Sequence, residues 1–157
     1  MIDEIDRNVI DLFTAEPHIG VLGASRRLGI ARGTVQARLD KLAARGVITG
    51  WGPRLSPAAL GYPVTAFLTL EIRQAVGHAQ AAAHLAAIPE VIEAQTITGA
   101  GDLWCRVVAR SNDDLQRVID AVLADESVLR STAVIALAEQ VGQRVLPLAR
   151  AAAAGGD

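Results

Sequence analysis

The 157-residue chain contains a single cysteine, Cys105, which excludes an internal disulfide framework and a cysteine zinc cluster. Cys105 lies in an apolar, strand-like run, where a free thiol behaves as a small hydrophobe, so it is read as an inert buried residue. No apolar run approaches the ~20 residues needed to span a bilayer. The opening residues MIDEIDRN are acidic where a secretory leader is basic and then apolar. The expectation is a cytoplasmic protein with no membrane partner. Histidine is scarce as well, with only His18, His78 and His84. His78 and His84 fall on different faces of a helix, and no Ser-His-Asp set, HExxH, P-loop or GxGxxG run occurs. The chain is therefore not read as an enzyme, and no metal or cofactor is expected. What it has in abundance is apolar residue, 51% against 20% charged, which is ample for a core and rules out global disorder.

The net charge of −2 gives little reason to expect a nucleic-acid partner, but its distribution along the chain does. Residues 20–54 carry seven basic side chains (Arg26, Arg27, Arg32, Arg38, Lys41, Arg45, Arg54) against one acid, Asp40. The segments on either side are both acidic. A basic patch confined to one segment of an acidic protein is the electrostatic footprint of a phosphate-binding face.

Hydrophobic spacing divides the chain into two parts. Ile5, Val9, Ile10, Leu12 and Phe13 have helical spacing, with Asp3 as N-cap and Asp6 in the reciprocal position. Pro17-His18 breaks that helix, and a second short one carrying Val21, Leu22, Ala24 and Leu28 ends at Gly29. After the brief turn Gly29-Ile30-Ala31, a third helix from Arg32 to Arg45 presents Val35, Leu39 and Leu42 on one face and is closed by Gly46. Two helices joined by a short glycine-containing turn, with a third before them, make a helix-turn-helix. Val47–Leu55 reads as a short ribbon, a wing, and 56–63 as a linker.

The second part opens with clear alternation, Val64, Ala66, Leu68, Leu70 and Ile72 against Thr65, Phe67, Thr69, Glu71 and Arg73, which is the period of a half-buried strand. A helix is expected over about Val76–Ile88, then strands near Val91–Thr98 and Leu103–Ala109 around the turn Gly99-Ala100-Gly101. Ser111 and Asp114 cap a further helix, and a last strand spans about Leu129–Ala138. The order βαββαβ is that of a ferredoxin-like sandwich, whose helix-free sheet face commonly meets another subunit. The fold class is thus α+β, with a winged helix-turn-helix over 1–55, a linker over 56–63, a ferredoxin-like domain over 64–146 and a flexible tail over 147–157.

Placed at 100° intervals, Thr34, Arg38, Lys41 and Arg45 form one flank of the third helix, opposite its apolar face. Gly33 and Ala37 point furthest outward, and their small size lets the helix approach groove walls. Arg32, Thr34, Gln36 and Arg38 are the candidates for base contact, since arginine and glutamine each make bidentate bonds to base edges. Arg26, Arg27, Lys41, Arg45 and Arg54 are candidates for gripping phosphates of double-stranded DNA.

These residues resemble the leucine-responsive/asparagine-regulator (Lrp/AsnC, feast/famine) family of prokaryotic transcriptional regulators. The resemblance is carried by Ile5-Asp6-Arg7-Asn8, Leu28-Gly29-Ile30, Val35-Gln36-Ala37-Arg38-Leu39 and Arg45-Gly46-Val47-Ile48-Thr49-Gly50. In the second part, Ile97-Thr98-Gly99-Ala100-Gly101-Asp102-Leu103-Trp104 matches the family's Gly-x-x-Asp loop. The family likeness implies a RAM-type effector and oligomerisation domain, homodimers assembling further into octamers, and a nucleoid-associated protein. It also implies an amino acid or similar effector held between subunits by Gly99, Gly101, Asp102, Trp104, Thr132, Val134, Ala136 and Glu139. Asp102 and Glu139 would hold an ammonium group, and backbone N–H groups around Gly99–Gly101 a carboxylate. Ala100 and Val134 stand where polar residues are frequent, and Trp104 where a smaller aliphatic is, so an aromatic or aliphatic effector is expected. Two other readings keep the architecture: a siroheme-decarboxylase-like enzyme, and an architectural DNA-binding protein without effector.

Overall fold

The computed structural model describes residues 2–73 and 77–155. Among them the elements run α1 (Glu4–Ala15), α2 (Gly20–Leu28), α3 (Arg32–Ala44), β1 (Val64–Ile72), α4 (His78–Ala86), β2 (Val91–Thr96), β3 (Leu103–Ala109), α5 (Asn112–Leu123), β4 (Val128–Ile135) and α6 (Leu146–Ala154). The expected helix start at Val76 lies outside the described residues. The chain forms two compact units, Met1–Pro53 with Val141–Asp157, and Arg54–Gln140.

In the first unit the acids at the N-terminus do what their spacing predicts. The Asp3 carboxylate accepts the Asp6 N–H at 2.8 Å, and the Asp6 carboxylate accepts the Asp3 N–H at 3.3 Å, which satisfies orphan donors at both ends of the first turn of α1. Helix α2 stops at Gly29, whose φ of 68° closes it left-handed, and Ser25 Oγ donates to the Ile30 carbonyl at 2.6 Å to fix the turn into α3. Val9, Ala24, Val35, Leu39 and Leu42 are buried together as the core of the three helices.

Two expectations about this unit are corrected. No strand forms over 46–63 among the described residues, so the wing segment is not a hydrogen-bonded ribbon. Gly46, Gly50, Gly52 and Pro53 crowd that stretch, and glycine and proline disfavour a ladder. Ile48 instead packs on the helical core, and Trp51 meets Phe13 edge-on with ring centroids 5.8 Å apart. The segment 147–157, expected as a flexible tail, contributes most of helix α6, which joins the same unit. Pro147 sits in its first turn, where the missing N–H costs nothing, and the alanines that follow are strong helix formers. Arg150 Nε donates to Asp11 Oδ1 on α1 at 2.9 Å. The last two residues of that segment lie outside the described residues.

The second unit is an antiparallel sheet of order β2-β3-β1-β4. The inward set of β1 (Ala66, Leu68, Leu70, Ile72) joins Leu103, Cys105 and Val107 of β3 under Ala81 and Leu85 of α4 and Leu115, Val118 and Val122 of α5. Ser111 Oγ accepts the Asp114 N–H at 3.1 Å and starts α5 as its sequence predicts. The alternate set, with Phe67, Thr69, Glu71, Trp104 and Thr132, is left on the helix-free face.

The 56–63 segment, read as a linker, is locally ordered. It closes a helical turn in which the Leu60 N–H reaches the Ser56 and Pro57 carbonyls at 3.1 Å each, and Tyr62 lies beneath the Arg110 guanidinium at 5.3 Å.

Candidate nucleic-acid surface and ligand concavity

The basic residues of the first unit fall into two groups, one at the turn between α2 and α3 and one at the C-terminal end of α3. Arg26 and Arg27 are exposed in the last turn of α2, Arg32 opens α3, Lys41 is in its last turn and Arg45 caps it. Arg26 and Arg32 form no ion pair among the described residues, while Arg27 bridges to Glu16 at 3.0 Å. A Cβ built on Gly33 would meet nothing within 4 Å, so the outward face of α3 is open at that point. Thr34 is half-buried, and Gln36 Nε2 donates to Asp40 one turn on at 2.7 Å. Arg54 belongs to the other unit.

Arg38 departs from its expected role. Its side chain is only 23% exposed and its guanidinium is turned back onto the capping box of α1, bonded to Asp3 and, at 2.9 Å, to the wholly buried Asp6 carboxylate. The Asp6 N–H and then Arg38 hold the Asp3 carboxyl below its ordinary range, and the two acids push the Arg38 guanidinium further up. A side chain with that occupation does not present its fork to a base, so the base-contact expectation for Arg38 is withdrawn. The helical wheel puts Arg38 on the basic flank, but its partners come from the first turn of α1.

On the helix-free face of the second unit a concavity of about 450 Å³ opens over β1 and β4. Thr69 and Glu71 of β1 form one wall and their register partners Thr132 and Arg130 of β4 the other, with the Gly99–Asp102 loop across the end. The loop is stitched to β1. Asp102 donates its N–H to the Leu70 carbonyl at 2.8 Å and accepts the Ile72 N–H on Oδ2 at 2.7 Å, where the β1–β4 register shifts. Gly101 has φ 118°, and a Cβ there would lie 2.5 Å from Thr69 Cγ2 and 3.1 Å from the Leu70 carbonyl oxygen. Only glycine fits.

Four of the expected effector residues, Gly99, Gly101, Asp102 and Thr132, line this concavity, and four do not. Trp104 stacks on Phe67 with centroids 5.4 Å apart, Val134 stands 62% exposed opposite Phe67, and Ala136 spends its N–H on the Thr65 carbonyl. Glu139 is exposed beyond the end of β4. The expected carboxylate cradle is also altered, because the Gly101 N–H is taken by the Gly99 carbonyl at 3.0 Å. Thr69, Glu71 and Arg130 also line the concavity and were not expected there, while Ala100 lines it as part of the expected loop. The β1 alternation already put Thr69 and Glu71 on the right face, but identifying Arg130 required the register of β4. The lining is mostly polar, against the apolar character expected from Ala100, Val134 and Trp104, of which only Ala100 lines the concavity.

His84 and Cys105 have structural occupations. His84 Nε2 sits 2.9 Å from the Ala121 carbonyl at the end of α5, and burial pushes the Cys105 thiol up to about 11. Among the described residues no group of three or more His, Cys, Asp and Glu side chains is arranged to hold a metal, and no helix is long and apolar enough to cross a membrane.

The Lrp/AsnC ligand binding domain family matches residues 65–146, more than half of the chain. The chain belongs to the Lrp/AsnC family. A winged helix-turn-helix DNA-binding family matches residues 2–49, so this Lrp/AsnC protein is a DNA-binding transcriptional regulator. Regulatory protein AsnC of Escherichia coli K12 is 28% identical over 148 residues, covering 94% of this chain and 97% of that protein. An uncharacterized HTH-type transcriptional regulator of Pyrococcus abyssi is 32% identical over 131 residues, covering 83% and 82%. The solved structure of E. coli AsnC superposes with a TM-score of 0.84 at 27% identity, covering 94% of this chain and 99% of its own. The feast or famine regulatory protein of M. tuberculosis complexed with L-methionine superposes at 0.80 with 25% identity, covering 92% and 98%.

Proposed function

We propose that this Lrp/AsnC regulator reads its operator with α3 and that a small amino acid in the β1–β4 concavity alters its assembly or its affinity for DNA. The observation that carries the reading is the concavity itself, which opens on the one sheet face that the chain leaves without helices. A second copy laid on that face covers the Phe67–Trp104 stack and the exposed Val134 and encloses the ligand between subunits. A relative is described in complex with L-methionine, which supports an amino acid as the ligand class. In this reading residues 1–55 bind DNA and 64–146 bind the effector and oligomerise, as dimers that assemble to octamers at the nucleoid in the cytoplasm. Arg26, Arg27, Lys41, Arg45 and Arg54 take phosphates, Arg32, Thr34 and Gln36 take base edges, and paired units engage half-sites one helical turn apart.

Light scattering of the purified protein, with and without millimolar amino acids, tests assembly and ligand together. The expected result is a dimer or larger species whose mass or DNA affinity shifts with at least one amino acid. A monomer indifferent to all of them overturns the proposal.

A further inference from the structure

We propose that Glu71 and Arg130 form the specificity-determining pair of the effector site, and that its ligand is a small zwitterion with a polar remainder. The inference rests on the effector reading above and deepens it. Glu71 and Arg130 are register partners across β1 and β4, and the next pair along the same face is Thr69 and Thr132. The two strands therefore present one cation, one anion and two hydroxyls in sequence along the concavity.

Arg130 Nη1 stands 3.9 Å from Glu71 Oε1, and the two side chains are 71% and 55% exposed. An ion pair so long and so solvated contributes little to the fold, so exchanging it for a ligand costs little. A ligand carboxylate takes the Arg130 guanidinium in the bidentate geometry that planar groups share. The ligand ammonium takes Glu71. Both assignments follow from what the loop has already spent: the Gly101 and Asp102 N–H groups are bonded to carbonyls, and Asp102 Oδ2 is bonded to the Ile72 N–H. Arg130 thus supplies the strong carboxylate donor and Glu71 the most open anion of the lining.

The rest of the ligand lies against Thr69, Thr132 and the glycine loop. An alkyl or aromatic side chain there would desolvate Glu71, Arg130 and the hydroxyls without returning hydrogen bonds. Trp104, the aromatic surface that would welcome such a group, is stacked on Phe67 and does not line the concavity. A volume of about 450 Å³ is in the range of small-molecule sites, and its walls are those of a polar one.

Isothermal titration of the full chain against two sets of L-amino acids tests this. Serine, glutamine, glutamate and arginine form the polar set, and leucine, methionine and phenylalanine the apolar set. The expected result is that a polar probe binds best, and that Arg130→Gln and Glu71→Gln each weaken it by ~tenfold or more at unchanged melting temperature. Tighter binding of an apolar probe, or unchanged affinity in both variants, overturns the inference while leaving an effector site in being. No binding of any probe overturns it together with the effector reading.

Discussion

Replacing Arg38 with methionine separates a side chain that touches DNA from one that positions the helix that does. Methionine keeps most of the stem and removes the guanidinium, which leaves the buried Asp6 carboxylate to the distant Asp3 N–H at 3.3 Å. A buried charged acceptor stripped of its main partner destabilises its surroundings by about 2–3 kcal/mol. In a unit of this size that lowers the melting temperature by on the order of 10 °C. The effect on DNA follows from the same geometry. Each phosphate contact removed lowers the slope of log affinity against log salt by ~0.9, whereas a lost positioning residue leaves the number of released counterions unchanged. The variant is expected to lose discrimination between its operator and unrelated DNA while keeping the wild-type salt slope. Fluorescence anisotropy at several salt concentrations, together with a thermal melt, reads both quantities. An unchanged melt, with either discrimination lost or the slope reduced by about one, would refute the reasoning and return Arg38 to the DNA surface.

Gly101→Ala must move either Thr69 or the β1 backbone and hold alanine at φ 118°, so a loss of ~1–3 kcal/mol is expected by denaturant unfolding, against almost none for Gly33→Ala. Asp3 has a depressed folded pKa, so its contribution is complete above the ordinary value of 3.8 and is lost as pH falls through the folded value. Asp3→Asn is accordingly expected to flatten the acid limb of a stability–pH curve, and an unchanged limb would contradict the Arg38 clamp. Cys105, buried with its thiol raised to about 11, should resist an aromatic disulfide reagent at pH 8 until the protein is unfolded, and prompt labelling of the native chain would mean that β3 opens.

The features legible in the sequence are those set by neighbours along the chain. The Asp3–Asp6 box, the Gly29 stop, the Ser111 cap and the alternation of β1 all involve residues within a few positions of one another, and each appears where its pattern predicts. Features set by distant partners were not legible. Arg38 lies on the basic flank by its angle on the helix, but which acid it meets depends on Asp6, 32 residues away. The family likeness implies a pocket role for Trp104, yet the β1–β3 register makes Phe67 its diagonal neighbour on the same face, and the two rings stack. Arg130 became visible only through pairing with Glu71, which in turn depends on the β4 register. The alanine-rich C-terminus has helical propensity in its own sequence, but nothing local reveals that α1 offers it Asp11.

Affinity of the purified protein for its own upstream DNA, against unrelated DNA of equal length at physiological salt, tests the central claim most directly. A sequence-specific regulator prefers the upstream fragment by ~10³-fold or more. Equal affinity for the two fragments, falling steeply with salt, would contradict that claim and favour an architectural binder that holds phosphates without reading bases.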